Sequence, residues 1–116
     1  SIMGSVALRD ATGDRFEWRF LDRASVVGRT GSIRIFELMG EKGKVDPESL
    51  VHRDAYEEAI TRYMKGEFDE ASRRFMGLSK RNPTDLAVAI MARRARKLRR
   101  YPPAEDWTGV YVHTKK

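Results

Sequence analysis

The stretch YMKGEFDEASRRFMGLSKRNPTD, residues 63–85, carries the clearest periodic pattern in the chain. Apolar side chains recur here at the 3.6-residue period of an amphipathic helix. One stripe, which begins upstream of the stretch, ends at Gly66, and a second ends near Asn82 and Pro83. The members of the two stripes are Tyr56, Ala59, Ile60 and Tyr63, then Phe68, Ala71, Phe75 and Leu78. The pattern predicts two amphipathic helices joined by a tight turn at the glycine.

A third stripe with the same period follows and ends before Pro102 and Pro103. Its members are Ala87, Met91, Ala95 and Leu98. The connections between the three helices are short, which favours antiparallel neighbours. The first helix has two candidate starts. Asp46 can cap it with proline at the first helical position, or Asp54 can cap it with Glu57 as capping-box partner.

The first third of the chain has the period of β-strands. RFEWRF, residues 15–20, alternates three aromatic side chains with charged ones, and IRIFELM, residues 33–39, is a second apolar run. Gly28 and Gly31 lie between them, so we expect an antiparallel hairpin. The apolar set changes face at Leu21, which predicts a bulge near residues 21–23. SVALRDATGD, residues 5–14, reads as a short helical turn or loop.

These elements predict an α+β fold in which the hairpin packs against three helices. A short strand at residues 110–113, where Val110 and Val112 alternate with Tyr111 and His113, would extend the sheet to three strands. The expected divisions are terminal strands in 1–40, a linker and helix start in 41–53, a three-helix unit in 54–100 and a C-terminal strand or clasp in 101–116. A helix pair of this kind cannot bury its apolar face alone, so the third helix and the hairpin are the candidates to cover it.

The helix pair resembles a single tetratricopeptide repeat. In that family the first helix carries a small residue, a glycine makes the turn, an aromatic opens the second helix, a small and a large residue follow, and a proline closes the unit. The matching residues are Ala59, Gly66, Phe68, Ala71, Phe75 and Pro83, with Tyr56 and Tyr63 displaced by one position from the family's usual places. No second copy of the pattern follows.

The hairpin and the C-terminal segment carry a second resemblance. GDRFEWRFLDRASVVGRTGSIRIFELMG, residues 13–40, is similar to the end of the catalytic domain of class III adenylate/guanylate cyclases, which has F-x-x-R-x-L-D-R, V-x-G-[KR] and [VI]-[FY]-E-L in this order. Some bacterial members end in P-P-x-x-D-W-x-G-V-Y followed closely by a lysine. The matching residues are Pro102, Pro103, Asp106, Trp107, Gly109, Val110, Tyr111 and Lys115. The resemblance covers roughly residues 5–116.

The resemblance implies a parent protein that makes cyclic nucleotide from a nucleoside triphosphate for intracellular signal transduction in bacteria. Such cyclases hold Mg²⁺ or Mn²⁺ on two aspartates that precede these strands, so the 116 residues are not expected to catalyse the reaction themselves. In the parent, Arg29 is a candidate contact to the substrate triphosphate. We expect a non-catalytic structural, regulatory or dimerisation unit whose partners are the rest of the cyclase chain and a second copy. Trp107, Val110 and Tyr111 would form a clasp that returns the chain to the sheet.

The formal net charge of +6 equals the six cations of RRARKLRR, residues 93–100. Such a run can bind nucleic acid phosphates or an anionic membrane surface. It can also complement the carbonyl end of its own helix, and this explanation is favoured from the sequence. A second candidate function is a stand-alone interaction module that binds a peptide in a groove along Tyr56, Tyr63 and Phe75.

The chain has no cysteine, no long apolar run and no secretory leader pattern, from which we expect a cytoplasmic protein without a membrane span, disulfides or thiolate metal sites. His52 and His113 have no acidic pattern nearby, so both are expected to be surface histidines without a metal. Trp18 is expected to pack in the core.

Overall fold

The computed structural model describes residues 2–4, 6–25 and 31–111. The fold is α+β, as the sequence predicts, with an antiparallel sheet and helices. The described chain forms two compact units. The first consists of the residues up to Ser49 together with Val110 and Tyr111, and the second runs from Leu50 to Gly109.

The first unit is built around the predicted hairpin. Strand β2 (Phe16–Ser25) pairs antiparallel with β3 (Ser32–Glu41), and a short strand β1 (Ile2–Gly4) pairs with the other edge of β3, so the order is β1-β3-β2. A six-residue helix, α1 (Val6–Ala11), and a single 3₁₀ turn, Gly13–Arg15, connect β1 to β2.

The third strand is not the one suggested by the sequence. Val110 and Tyr111 are not in a strand, and Val112 and His113 lie outside the described residues. The third strand comes instead from β1, which pairs with residues 36–38. Three residues are too few to show a period of two, so only the pairing partner reveals this strand.

The predicted bulge in β2 is confirmed. Phe20 lies opposite Phe36 but Asp22 lies opposite Ile35, so Leu21 is the extra residue and the side chains beyond it change face. A second register shift, near Trp18, leaves Met39 as an extra residue on β3 and was not predicted. Trp18 is buried, as expected of a core residue.

The helices occupy the regions where the period changes to 3.6. They are α2 (Pro47–Met64), α3 (Phe68–Arg81) and α4 (Leu86–Arg100). Of the two candidate starts, the first gives the correct position, because α2 begins at Pro47. The amide of Ser49 donates to the backbone carbonyl of Asp46. Asp54 lies inside α2 and therefore caps no helix. The ring of Pro47 fixes its φ near the helical value, so α2 starts at this residue and not at the later candidate, Asp54.

The core of the second unit consists of the apolar stripes of these helices. The buried residues are Tyr56, Ala59, Ile60 and Tyr63 of α2, Phe68, Ala71, Phe75 and Leu78 of α3, and Val88, Met91, Ala95 and Leu98 of α4. Helix α4 packs on α3. Among the described residues, no helix is both long enough and apolar enough to cross a bilayer.

The turn between α2 and α3 depends on Gly66. Its φ of +85° lies in the left-handed region, and its amide donates to the Tyr63 carbonyl over 3.0 Å, while the amide of Glu67 donates to the Arg62 carbonyl over 2.9 Å. These bonds satisfy carbonyls that the end of α2 would otherwise leave without a partner.

Two glycine substitutions test this explanation. Gly66→Ala forces a Cβ into the left-handed region and is expected to destabilise the protein by about 1–2 kcal/mol. Gly77→Ala lies inside α3 with no atom within 4 Å of the added Cβ, and is expected to stabilise by about 0.5–1 kcal/mol. Urea unfolding followed by circular dichroism measures both. Equal effects of the two substitutions would contradict the role given to the turn.

Candidate functional site

Three aromatic rings meet where α2 ends and α3 begins. The ring centroids of Tyr63, Phe68 and Trp107 are 5.7, 5.6 and 5.4 Å apart, and each pair has an edge-to-face geometry. This geometry brings the positive edge of one ring to the negative face of another, which stabilises such pairs beyond the area that they bury. We call these three residues the aromatic cluster.

Trp107 also makes a polar contact with the end of α2. Its indole N–H donates to the carbonyl oxygen of Met64 over 3.1 Å. Met64 is the last residue of α2, so this carbonyl has no partner within its own helix. A Cβ added at Gly109 would lie 3.3 Å from the Cβ and Cε atoms of Met64, so the chain after the tryptophan passes close to the same helix end. The segment 104–109 therefore closes over the turn between α2 and α3.

The other predicted repeat residues divide between the core and the surface. The rings of Tyr56 and Phe75 meet with their centroids 5.5 Å apart, and Ala59 and Ala71 are fully buried. Pro83 is exposed after the end of α3. Of the predicted clasp, Trp107 belongs to the aromatic cluster, whereas Val110 and Tyr111 are half-buried residues of the first unit. Arg29, the candidate triphosphate contact, lies outside the described residues.

An open groove of about 730 Å³ lies beside the aromatic cluster. It is lined by the first turns of α3, the end of α4 and the segment 102–107. Its charged side chains are largely paired: Asp69 accepts from Arg73 at 2.9 Å and Arg99 at 3.5 Å. Hydrogen bonds from Arg73 and then Arg74 lower the pKa of the Glu70 carboxyl. The groove holds ion pairs on a surface and no cluster of acid and base groups aimed at a common point.

His52 is not the free surface histidine that the sequence suggests. Its Nε2 lies 2.8 Å from Oδ2 of Asp85, and the two side chains are only 17% and 10% exposed. The other carboxylate oxygen of Asp85 accepts from the amide of Val88 over 3.4 Å and so caps α4. One carboxylate thus links the first turns of α2 to the start of α4. The two residues are 33 positions apart, so only the packing of the helices reveals the pair.

Sequence reasoning also missed a buried ion pair in the sheet. Arg19 of β2 lies directly opposite Glu37 of β3, and its Nε and one terminal nitrogen lie 2.9 and 2.8 Å from the same carboxylate oxygen. The arginine side chain is 7% exposed and the glutamate side chain 21%. Both residues belong to the motifs quoted above, and the hairpin prediction could have placed them opposite each other.

Within the described residues, no group of three or more His, Cys, Asp and Glu side chains could hold a metal ion. Comparisons with protein-family models, curated proteins and solved structures found no match to this chain.

Trp107 is the residue on which closure of the helical unit is expected to depend. Trp107→Phe keeps a ring in the cluster but loses the bond to Met64, which we expect to cost about 1 kcal/mol of unfolding free energy. Trp107→Ala removes the ring as well and is expected to cost about 3 kcal/mol. Thermal and urea unfolding measure both variants. If Trp107→Ala unfolds at the same urea concentration as the wild type, the segment does not hold the unit closed.

The ion pair of Arg19 and Glu37 is expected to behave as a unit. Arg19→Met or Glu37→Leu alone leaves a buried charge without its partner and is expected to cost about 3 kcal/mol. The double variant removes both charges and is expected to lie within about 1 kcal/mol of the wild type. Urea unfolding of the four proteins completes the cycle. Additive losses in the double variant would show that the two side chains act independently.

Proposed function

We propose that this chain is the C-terminal part of a bacterial class III nucleotide cyclase, in which it closes the catalytic domain and adds a helical tail. In this proposal the chain is a non-catalytic structural and dimerisation unit. The complete protein converts a nucleoside triphosphate to cyclic nucleotide in the cytoplasm, as part of intracellular signal transduction. The proposal rests on the motifs of residues 13–40 and 102–115, together with the pairing of β2 with β3, the two strands that carry the first set of motifs.

The observation that carries the proposal is the pairing of the two motif strands. The arginine of F-x-x-R-x-L-D-R and the glutamate of [VI]-[FY]-E-L are the residues that form the buried ion pair between β2 and β3. The aromatic residue of the second motif, Phe36, is buried, and its ring centroid lies 5.4 Å from that of Phe20 on the first strand, with the two rings tilted by 60°. A register that aligns the two motifs in this way supports a common origin with the terminal hairpin of a cyclase domain.

The helical unit supports a structural role more than a peptide-binding one. Tyr56, Tyr63 and Phe75 are at most 1% exposed, so the apolar groove that a peptide would need along them is filled by the unit itself. A closed unit of this kind suits a structural extension of the catalytic domain. Class III sites form between two such domains, and we therefore propose a homodimer as the working state.

The proposal assigns the metal and the chemistry to residues that precede these strands in the cyclase. Two metal-bound aspartates are required to activate the attacking hydroxyl and to stabilise the transferred phosphoryl group. The gene that encodes this chain is accordingly expected to encode, before residue 1, a segment with two such aspartates. Arg29 is proposed to contact the triphosphate in that complete protein.

A hairpin exchange tests the proposal directly. In an active class III cyclase the terminal hairpin is replaced by residues 13–41 of this chain, and formation of cyclic nucleotide from ATP and from GTP is measured with Mg²⁺ and Mn²⁺. We expect the chimaera to remain active and Arg19→Met in the grafted hairpin to reduce its activity. The double variant Arg19→Met/Glu37→Leu is expected to recover most of it, because no buried charge is left unpaired.

The controls are the same cyclase with its hairpin deleted and the 116-residue chain alone, both of which are expected to be inactive. If the chimaera is no more active than the deletion, the hairpin is not of the cyclase type. If the isolated chain forms cyclic nucleotide, the division between catalytic and structural parts is wrong.

A further inference from the structure

The side of α4 that faces away from the core carries two exposed apolar residues followed by a row of cations. Their spacing of four, three, four and three residues places them along one line of the helix, opposite its buried stripe. We call this line the outer face of α4, and it consists of Leu86, Ile90, Arg93, Lys97 and Arg100. Leu86 is 71% and Ile90 46% exposed, and the three cations are exposed too. Arg96 is exposed beside them.

Ion pairs within the chain do not account for the charge of Arg93 on this face. In α3, by contrast, Arg73 pairs with Asp69 and Glu70, and Arg74 with Glu70. Helix α4 contains no acidic residue. Arg93 and Arg96 form no ion pair with any part of the chain that the structure describes.

The helix dipole explains only part of the charge. Its effect is confined to the last turn, which in α4 contains Lys97, Arg99 and Arg100. Arg93 and Arg96 lie before that turn. The dipole also does not explain why Leu86 and Ile90, at the other end of the outer face of α4, are exposed to solvent.

We propose that the outer face of α4 docks on the surface of an anionic phospholipid bilayer. In this arrangement Leu86 and Ile90 enter the boundary between headgroups and acyl chains, while Arg93, Lys97 and Arg100 pair with lipid phosphate and carboxylate groups. An amphipathic helix that lies in the interface needs this combination of apolar and cationic side chains on one face. Tyr101, 63% exposed beside Arg100, adds an aromatic side chain of the kind that favours the interface. The proposal does not depend on the cyclase assignment.

The apolar part of the face distinguishes a bilayer from nucleic acid. Phosphates of a nucleic acid would bind the cations but would gain nothing from Leu86 and Ile90. Binding to a single strand would in addition call for aromatic side chains among the cations to stack on the bases, and residues 93–100 include none, although Tyr101 follows them. A second copy of the chain would bring like-charged arginine rows together if the two helices met in parallel. The anionic bilayer is the occupant that matches both the charge and the apolar side chains.

Binding of the 116-residue chain to vesicles tests the proposal. Phosphatidylcholine vesicles with and without phosphatidylserine are sedimented with the protein, and the bound fraction gives a partition coefficient. We expect binding only to the vesicles that contain phosphatidylserine, and a decrease with rising salt. Each cation near an anionic surface contributes about fivefold to the partition coefficient, so Arg93→Glu/Lys97→Glu is expected to lower it by at least about twentyfold. Leu86→Ser/Ile90→Ser is expected to weaken binding without removing its salt dependence.

The matched control is Lys42→Glu/Lys44→Glu, which changes the net charge by the same amount at two exposed residues of the first unit. All variants replace exposed side chains, and circular dichroism checks that they remain folded. Failure of the chain to bind phosphatidylserine, or an equal loss in the control variant, would overturn the proposal. So would binding to single-stranded RNA or duplex DNA that exceeds binding to the vesicles and is unchanged in Leu86→Ser/Ile90→Ser. A dimer that dissociates in Leu86→Ser/Ile90→Ser, seen by sedimentation velocity, would assign the face to a second copy.

Discussion

The second unit depends on one constraint: a solitary pair of antiparallel helices cannot cover its own apolar face. In repeat arrays the neighbouring repeat covers it. Here α4 packs on α3, and the segment 104–109 closes over the turn between α2 and α3. Trp107 takes part in this closure in two ways: its ring completes the aromatic cluster, and its indole N–H donates to the last carbonyl of α2.

In the sheet, β2 and β3 pair in a defined register although both faces of these strands carry apolar residues. Apolar alternation alone specifies such a register weakly. The ion pair between Arg19 and Glu37 forms in only one register, and in any other it would leave a buried charge unpaired. The bulge at Leu21 then changes the face of the residues beyond it without disturbing this pair. A buried ion pair adds little net stability, but an alignment that breaks it leaves a buried charge unpaired. We therefore infer that the pair of Arg19 and Glu37 determines the register of the hairpin.

The features that the sequence predicts well are those with a local cause. The period of 3.6 locates the helices, proline at position 47 marks the start of α2, and the change of face at Leu21 indicates the bulge. The features that it misses join residues that are distant in the chain. The pair of His52 with Asp85 needs the packed helices, and β1 is too short to have a period. Alternation at residues 110–113 therefore predicts the third strand in the wrong place, because alternation can be read from the sequence and the pairing of β1 with β3 cannot.

Charged side chains have two kinds of environment in this chain: some form ion pairs within the fold, and others are exposed on α4. Arg19 is buried and pairs with Glu37, and Arg73 and Arg74 of α3 pair with acids one turn away. Helix α4 contains six cations, as many as the formal net charge of the chain, and no acid with which they could form i,i+4 pairs. Of these cations, Arg99 pairs with Asp69 of α3. Arg93 and Arg96 form no ion pair with the described part of the chain, and the exposed Leu86 and Ile90 share a line of the helix with Arg93. An anionic bilayer matches both the charge and the apolar side chains, and this match is the argument for the proposed docking face.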